Sequence, residues 1–443
     1  MSPMNPPAPK KKRSALRIML VSLLSIFVVL CAGIGYLLVP IGPPATVPAV
    51  APLDVTPAVP APVPAALALV NGLLIDGSGA APVADAVVLI RDGRFEAAGP
   101  RGQVTIPPEY KVIDVQGATI LPGLINAHVH YAYDVARLKT WAYAGVTTVR
   151  EMGVIVPGES LDKRYMLRDN SRIDPYLARI VAVSLIVSPP KGYGYLYETS
   201  PEDARKVALK AIGEGAELIK LVFADYRIPF EHWPLLPLED AKALVQAAHE
   251  RGLLTAVHIH QAKYVSMALD AGVDQIAHMP ADDSVPDDVI QRAVAAKVMW
   301  TPTLEMYSVF GRTVLGRVFG ADAASQGAAK GAIDNLRRVV AAGGEIALGT
   351  DYGGTPSTFQ DGLPIHEMEL MQQAGMTPMQ ILVAATSNAA RACGKADQLG
   401  TITPGKIADV LVVNGNPLDD LHRLQDVRLV IKGGTIIRQE AKD

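Results

Sequence analysis

Glu217-Leu-Ile-Lys-Leu-Val222, then Leu238–Glu250, then Leu253-Leu-Thr-Ala-Val-His258, then Ala262–Ala271: short apolar runs alternate here with amphipathic segments of helical length. Apolar runs of this kind are the mark of strands covered on both faces, and the segments between them serve as crossover helices. The stretch therefore predicts consecutive βαβ units with parallel strands. Outward from it the same pattern recurs in Ile120-Leu-Pro-Gly-Leu-Ile-Asn-Ala-His-Val-His130, Gln275-Ile-Ala-His278, Val298-Met-Trp-Thr-Pro-Thr-Leu304 and Glu345-Ile-Ala-Leu-Gly-Thr-Asp351. Residues 121–394 hold enough repeats for a closed α/β barrel, the (β/α)8 TIM barrel. A last helix is predicted over Pro378–Cys393, with Thr377 as its cap, Pro378 in its first turn and Gly394 after it.

Both flanks of this region read as β structure. Ala68–Gly77, Asp85–Phe95 and Tyr110–Ile120 are β-branched runs separated by Asp-Gly and Gly turns, as in a small antiparallel sheet. Ala408–Gly415 and Asp426–Ile437 repeat the pattern, so residues 66–120 and 395–443 are expected to form one β-sandwich domain. Further upstream, residues 18–39 contain no charge, and 22 residues at about 1.5 Å each can cross a bilayer. The basic cluster Lys10-Lys11-Lys12-Arg13 precedes them, so residues 1–17 are expected to stay cytoplasmic and the body to lie on the extracytoplasmic, periplasmic side. The run is long for a cleavable signal peptide and no Ala-x-Ala site closes it, which favours a single-pass membrane anchor. Residues 40–65, rich in proline and alanine, read as a stiff extended linker.

Composition narrows the function. The formal charge of −3 hides five basic residues before the first acid, and the remaining 36 basic against 44 acidic residues leave −8, which argues against nucleic acid as a partner. Only Cys31 and Cys393 occur, so neither a disulfide framework nor a cysteine-ligated zinc site can be built.

The residues suited to chemistry fall at or just past the ends of the apolar runs, where the carboxyl rim of a barrel gathers groups from distant positions. His128 and His130, two apart on an extended strand, project to the same side and can grip one metal. Lys220, between Ile219 and Leu221, would be costly to bury as an ammonium, and one explanation is carboxylation to an anionic carbamate able to bridge two metals. His258 and His260 repeat the same-face spacing, and His278 follows one helix later. Asp351 is a carboxylate suited to metal binding and proton transfer. A single histidine in an apolar strand is more often a hydrogen-bonded structural residue; it is the set that points to a metal centre.

Pro122-Gly-Leu-Ile-Asn-Ala-His-Val-His130, Lys220, His258, His278, Gly349-Thr-Asp351, Ala384–Ala392 and Pro404-Gly-Lys-Ile-Ala-Asp409 together resemble the amidohydrolase superfamily over about residues 66–440. Within it the chain looks most like the branch of prolidase-like dipeptidases, ochratoxinase-like amidases and imidazolonepropionase-like proteins. The resemblance implies two divalent ions, zinc by preference: His128 and His130 on one, His258 and His278 on the other, carboxylated Lys220 bridging, and Asp351 as ligand and general acid/base. It implies hydrolysis of an acyclic amide bond in a small substrate such as a dipeptide or N-acyl amino acid by a metal-bridging hydroxide. Opening of a cyclic amide is the alternative, and a non-catalytic scaffold would have lost ligands that this chain keeps. His260 is then left to donate a hydrogen bond to the substrate carbonyl. The chain departs from many relatives in reading Arg150-Glu151 where they have Arg-Asp, and His258-Ile-His260-Gln261 where they have His-Ala-His-Gly. Specificity is expected in rim loops such as Gly192–Tyr197 and Tyr307–Val318, and a homo-oligomer is compatible with all of this.

Overall fold

A computed structural model of the chain describes residues 66–153, 160–228, 231–310, 321–352 and 362–440. The basic tail, membrane anchor and linker expected over 1–65 lie outside the described residues, as does 311–318 of the second rim loop. Among the described residues no helix is long and apolar enough to cross a membrane.

Eight parallel strands follow one another around a ring: Leu124–Val129, Val146–Glu151, Arg179–Ala182, Leu218–Val222, Leu254–His258, Gln275–Ala277, Met299–Thr301 and Glu345–Ile346. Two isolated parallel bridges complete the circuit, Val183 to Leu218 between the third and fourth strands and Val129 to Tyr352 between the first and the segment after the eighth. The second closure is reinforced where Ala127 N–H donates to Leu348 O at 2.8 Å and His130 N–H to Tyr352 O at 2.7 Å. Gly349 is required at this seam, because a Cβ there would stand 2.4 Å from Thr301 and 2.6 Å from the Cβ of His128.

Helices cover the strands as the amphipathic periods require. Leu238–His249 buries Ala241, Leu244, Val245 and Ala248, each fully buried leucine or valine contributing about 1.5–3 kcal/mol. The helix expected over Pro378–Cys393 is instead two, Pro378–Ala384 and Ser387–Ala392. Its start has the expected Thr377 cap, here a capping box with Gln380. The break occurs because the carbonyls of Ala384 and Ala385 accept from the barrel amides of Leu348 and Ile125, each at 2.8 Å, and so leave the helical ladder.

The β domain draws on both ends of the chain. Its strands form one continuous sheet in the order Thr435–Gln439, Val427–Lys432, Val410–Val413, Thr119–Pro122, Leu67–Leu74, Val83–Arg91, Arg94–Pro100, with Lys111–Asp114 also paired to Leu67–Leu74. The sheet is mixed, whereas the turn signals suggested a purely antiparallel one. Lys111–Asp114 and Thr119–Ile120 lie successively along one edge of Leu67–Leu74, both parallel to it, because residues 101–110 return the chain across the sheet instead of turning it back as a hairpin. Leu67, Leu69, Val88, Ile90, Val410, Val412, Leu429 and Ile431 from the two halves share one core.

Candidate metal centre

Strand register delivers the side chains. Lys220 lies beside Ala256, and His258 at the end of the fifth strand lies beside Val222 and Ala277. His278 sits immediately after its strand and Asp351 a few residues past the eighth, with φ of 72° and 58°, and Tyr131 and Thr303 just past neighbouring strands have φ of 56° and 48°. Four non-glycine residues in the left-handed region around one rim are the backbone strain expected where side chains must be aimed into a site.

Two groups of ligand atoms result, His128 with His278 and Asp351, and His258 with His260 and His278, each group within 4.8 Å. Asp351 Oδ1 lies 3.1 Å from His128 Nε2 and 3.0 Å from His130 Nε2. His258 Nδ1 lies 2.9 Å from His278 Nε2. Lys220 is wholly buried, and burial pulls its ammonium down to about 8, with Asp351 opposing the shift. Burial likewise holds His128, His258 and His278 well below the usual imidazole range. Burial would raise the carboxyl of Asp351, but its bonds to His128 and His130 overcome that and hold it well below the usual range.

Both ring nitrogens of His128, Nδ1 of His130, Nζ of Lys220 and Oδ1 of Asp351 are buried without a hydrogen-bond partner of good geometry. Buried polar atoms are almost always satisfied, so five such atoms on one constellation call for a shared partner. Imidazole nitrogens with carboxylate oxygen suit a divalent ion of the zinc class, and the residues present fit one.

Several neighbours were not singled out from sequence as members of the site. Glu151, noted only as a departure from the family pattern, places Oε1 3.6 Å from His130 Nδ1 while accepting from the amides of Ala132 and Gly153. Thr303 Oγ1 lies 2.8 Å from His278 Nδ1. These contacts fix ring orientation, as the outer partners of metal-binding histidines commonly do. Tyr307 Oη lies 2.7 Å from His260 Nδ1 and donates to Met279 O at 2.7 Å. A carbonyl only accepts, so the single tyrosine proton goes to Met279 and His260 must donate through Nδ1.

His260, pulled down to about 4 by burial, is neutral at pH 7, and its Nε2 is therefore an acceptor. With Nδ1 engaged by Tyr307, the expected donation to a substrate carbonyl would require a proton on Nε2 as well. Geometry does not separate His258 from His260 as ligands, since both belong to the group around His278.

The description of the amidohydrolase family matches residues 119–437. The chain is 25% identical to imidazolonepropionase of Geobacillus kaustophilus (strain HTA426), over 80% of this chain and 90% of that one. It is 24% identical to ochratoxinase of Aspergillus niger, over 83% and 85% respectively. Its fold is similar to that of a crystallised Xaa-Pro dipeptidase, with a TM-score of 0.71 and 22% identity over 84% of this chain and all of the other. Proteins of this family are generally metal-dependent, and the barrel, the rim constellation and the matched residues agree that the chain belongs to the amidohydrolase family.

Proposed function

We propose that the chain hydrolyses an acyclic amide bond in a small substrate such as a dipeptide or N-acyl amino acid, with two zinc-like divalent ions. His128 and His130 would hold one ion and His258 and His278 the other, with Asp351 as a further ligand and carboxylated Lys220 between them. The observation that carries this reading is the convergence of buried nitrogen and oxygen atoms that lack a well-formed hydrogen bond, from strands one and four and the segment after strand eight. Ions bound there would supply Lewis acidity and bring the pKa of water toward ~7.

The chain's own groups do the rest. Asp351 accepts a proton from the attacking water on one carboxylate oxygen and delivers it to the departing amide nitrogen. Lys220 Nζ, uncharged, forms its N–C bond with carbon dioxide and releases a proton, leaving a carbamate. Glu151 and Thr303 hold the rings of His130 and His278 in place. His260 offers Nε2 as an acceptor toward the same centre.

Likeness to a dipeptidase and an ochratoxinase supports acyclic amides; likeness to imidazolonepropionase over 80% of the chain favours cyclic amides as the second reading. The test is a panel of dipeptides, N-acyl amino acids and cyclic amides, with metal analysis of the purified protein. Turnover of the acyclic members with close to two ions per chain is expected. Turnover of cyclic amides alone would favour the second reading, and a stoichiometry fixed near one in excess zinc and bicarbonate would refute the two-ion centre.

A further inference from the structure

Beside the metal centre stands a run of aromatic rings outside the ligand set. The Tyr193 ring lies 4.7 Å from that of His258, tilted by 31°, and 5.0 Å from that of Trp233, tilted by 37°. Tyr193 comes from the loop after the third barrel strand and Trp233 from the segment after the fourth, so two adjacent rim loops meet over the fifth strand's histidine. Ile186, Val222 and Ala224 are buried beneath them and form one apolar cluster with the two rings. Both rings are only half-buried and keep part of their surface open. Trp141 and Trp300, by contrast, are wholly buried in the barrel core.

An apolar cluster backing two partly open rings, with one ring packed on a histidine of the centre, is the makeup of a substrate pocket wall. Aromatic faces prefer offset or tilted ring partners at about 4.5–7 Å between centroids, and they offer nothing to compensate a desolvated charge. We infer that Tyr193 and Trp233 form a subsite for an aromatic or large apolar group carried by the substrate next to its scissile amide. This rests on the amide-hydrolase reading and names the class of substrate that the centre takes. It also gives the loop Lys191–Tyr197 its function, since that loop holds Tyr193 through Gly194, whose amide donates to Ser188 Oγ at 3.0 Å. Gly194 admits no side chain, because a Cβ would stand 2.4 Å from Ile186 O.

The experiment uses the metal-loaded full chain. Matched N-acyl amino acids and dipeptides carry phenylalanine or tryptophan on either side of the amide in one set, and glycine or aspartate in the other. The expected kcat/KM is about tenfold or more higher for the aromatic set, the scale of discrimination an apolar pocket provides. In Trp233→Ala, KM for aromatic substrates should rise about tenfold while kcat moves less than threefold. Binding of an uncleavable aromatic amide should also change the emission of the wild-type protein, whose one described tryptophan outside the core is Trp233, and should not change that of Trp233→Phe. Equal kcat/KM for the two sets would overturn the subsite, as would a fall in kcat alone for Trp233→Ala. Aromatic binding seen by fluorescence without turnover of any amide would count against the amide-hydrolase reading and leave the subsite standing.

Discussion

Tyr307 gives its hydroxyl proton to the carbonyl of Met279 and receives one from His260 Nδ1, both at 2.7 Å, so one phenol fixes which nitrogen of His260 carries hydrogen. Tyr307→Phe leaves that N–H without its acceptor, a loss of about 1–3 kcal/mol. Thermal melts should show reduced stability, and kcat/KM should fall on the order of tenfold with metal content unchanged. Wild-type activity in the variant would mean that the tautomer has no part in turnover.

His258 and His260 are separated by substituting each with asparagine. His258→Asn should hold about one ion fewer, because the family resemblance assigns the ligand position on this strand to His258. His260→Asn should keep its metal and lose about a hundredfold in kcat, the usual scale for one hydrogen bond made to the reacting groups. Metal analysis showing loss in His260→Asn and retention in His258→Asn would invert the two roles.

Lys220→Ala removes the group proposed to bridge the ions, and most activity should go with it. Short-chain carboxylic acids added to the variant should restore a measurable fraction by standing in for the carbamate. Full activity without them would exclude Lys220 from the centre.

Glu367 accepts from the amides of Leu304 and Glu305 at 2.9 and 2.7 Å, and so anchors the start of the helix Leu304–Phe310 that bears Tyr307 and follows Thr303. Burial pushes its carboxyl up from 4.5 to about 8, the two amides opposing. Between those values the folded chain holds a proton that the unfolded chain has released. This contribution to stability is therefore full below pH 4.5 and is lost as the pH rises through about 8. Denaturant melts from pH 5 to 9 should show the wild type losing stability relative to Glu367→Gln, by on the order of a few kcal/mol across that range. Parallel curves would show that Glu367 is ionised throughout.

We propose, from the basic cluster Lys10–Arg13 before the uncharged residues 18–39, that the hydrolase lies outside the cytoplasm on an uncleaved anchor. Protease added to intact spheroplasts should digest the body, and complete protection would reverse the orientation.

Whatever depends on local periodicity could be read from the order of residues alone. Strand-like runs alternating with amphipathic segments marked the barrel, and because barrel strands end at one rim, histidine, lysine and aspartate at their ends could be named as candidates for one shared site. His128 and His130 were legible as a pair from a two-residue spacing. Whatever needs two distant segments at once came from the folded chain. Thr303 reaches His278, Tyr307 reaches His260, and Glu367 reaches Leu304 across separations of 25, 47 and 63 residues, with no periodic signal to announce any of them. The same holds for the helix broken after Ala384, whose carbonyl goes to a barrel strand, and for Lys111–Asp114 lying parallel to Leu67–Leu74. Propensity describes what a segment favours in isolation; a hydrogen bond offered by a strand from elsewhere in the fold outweighs it.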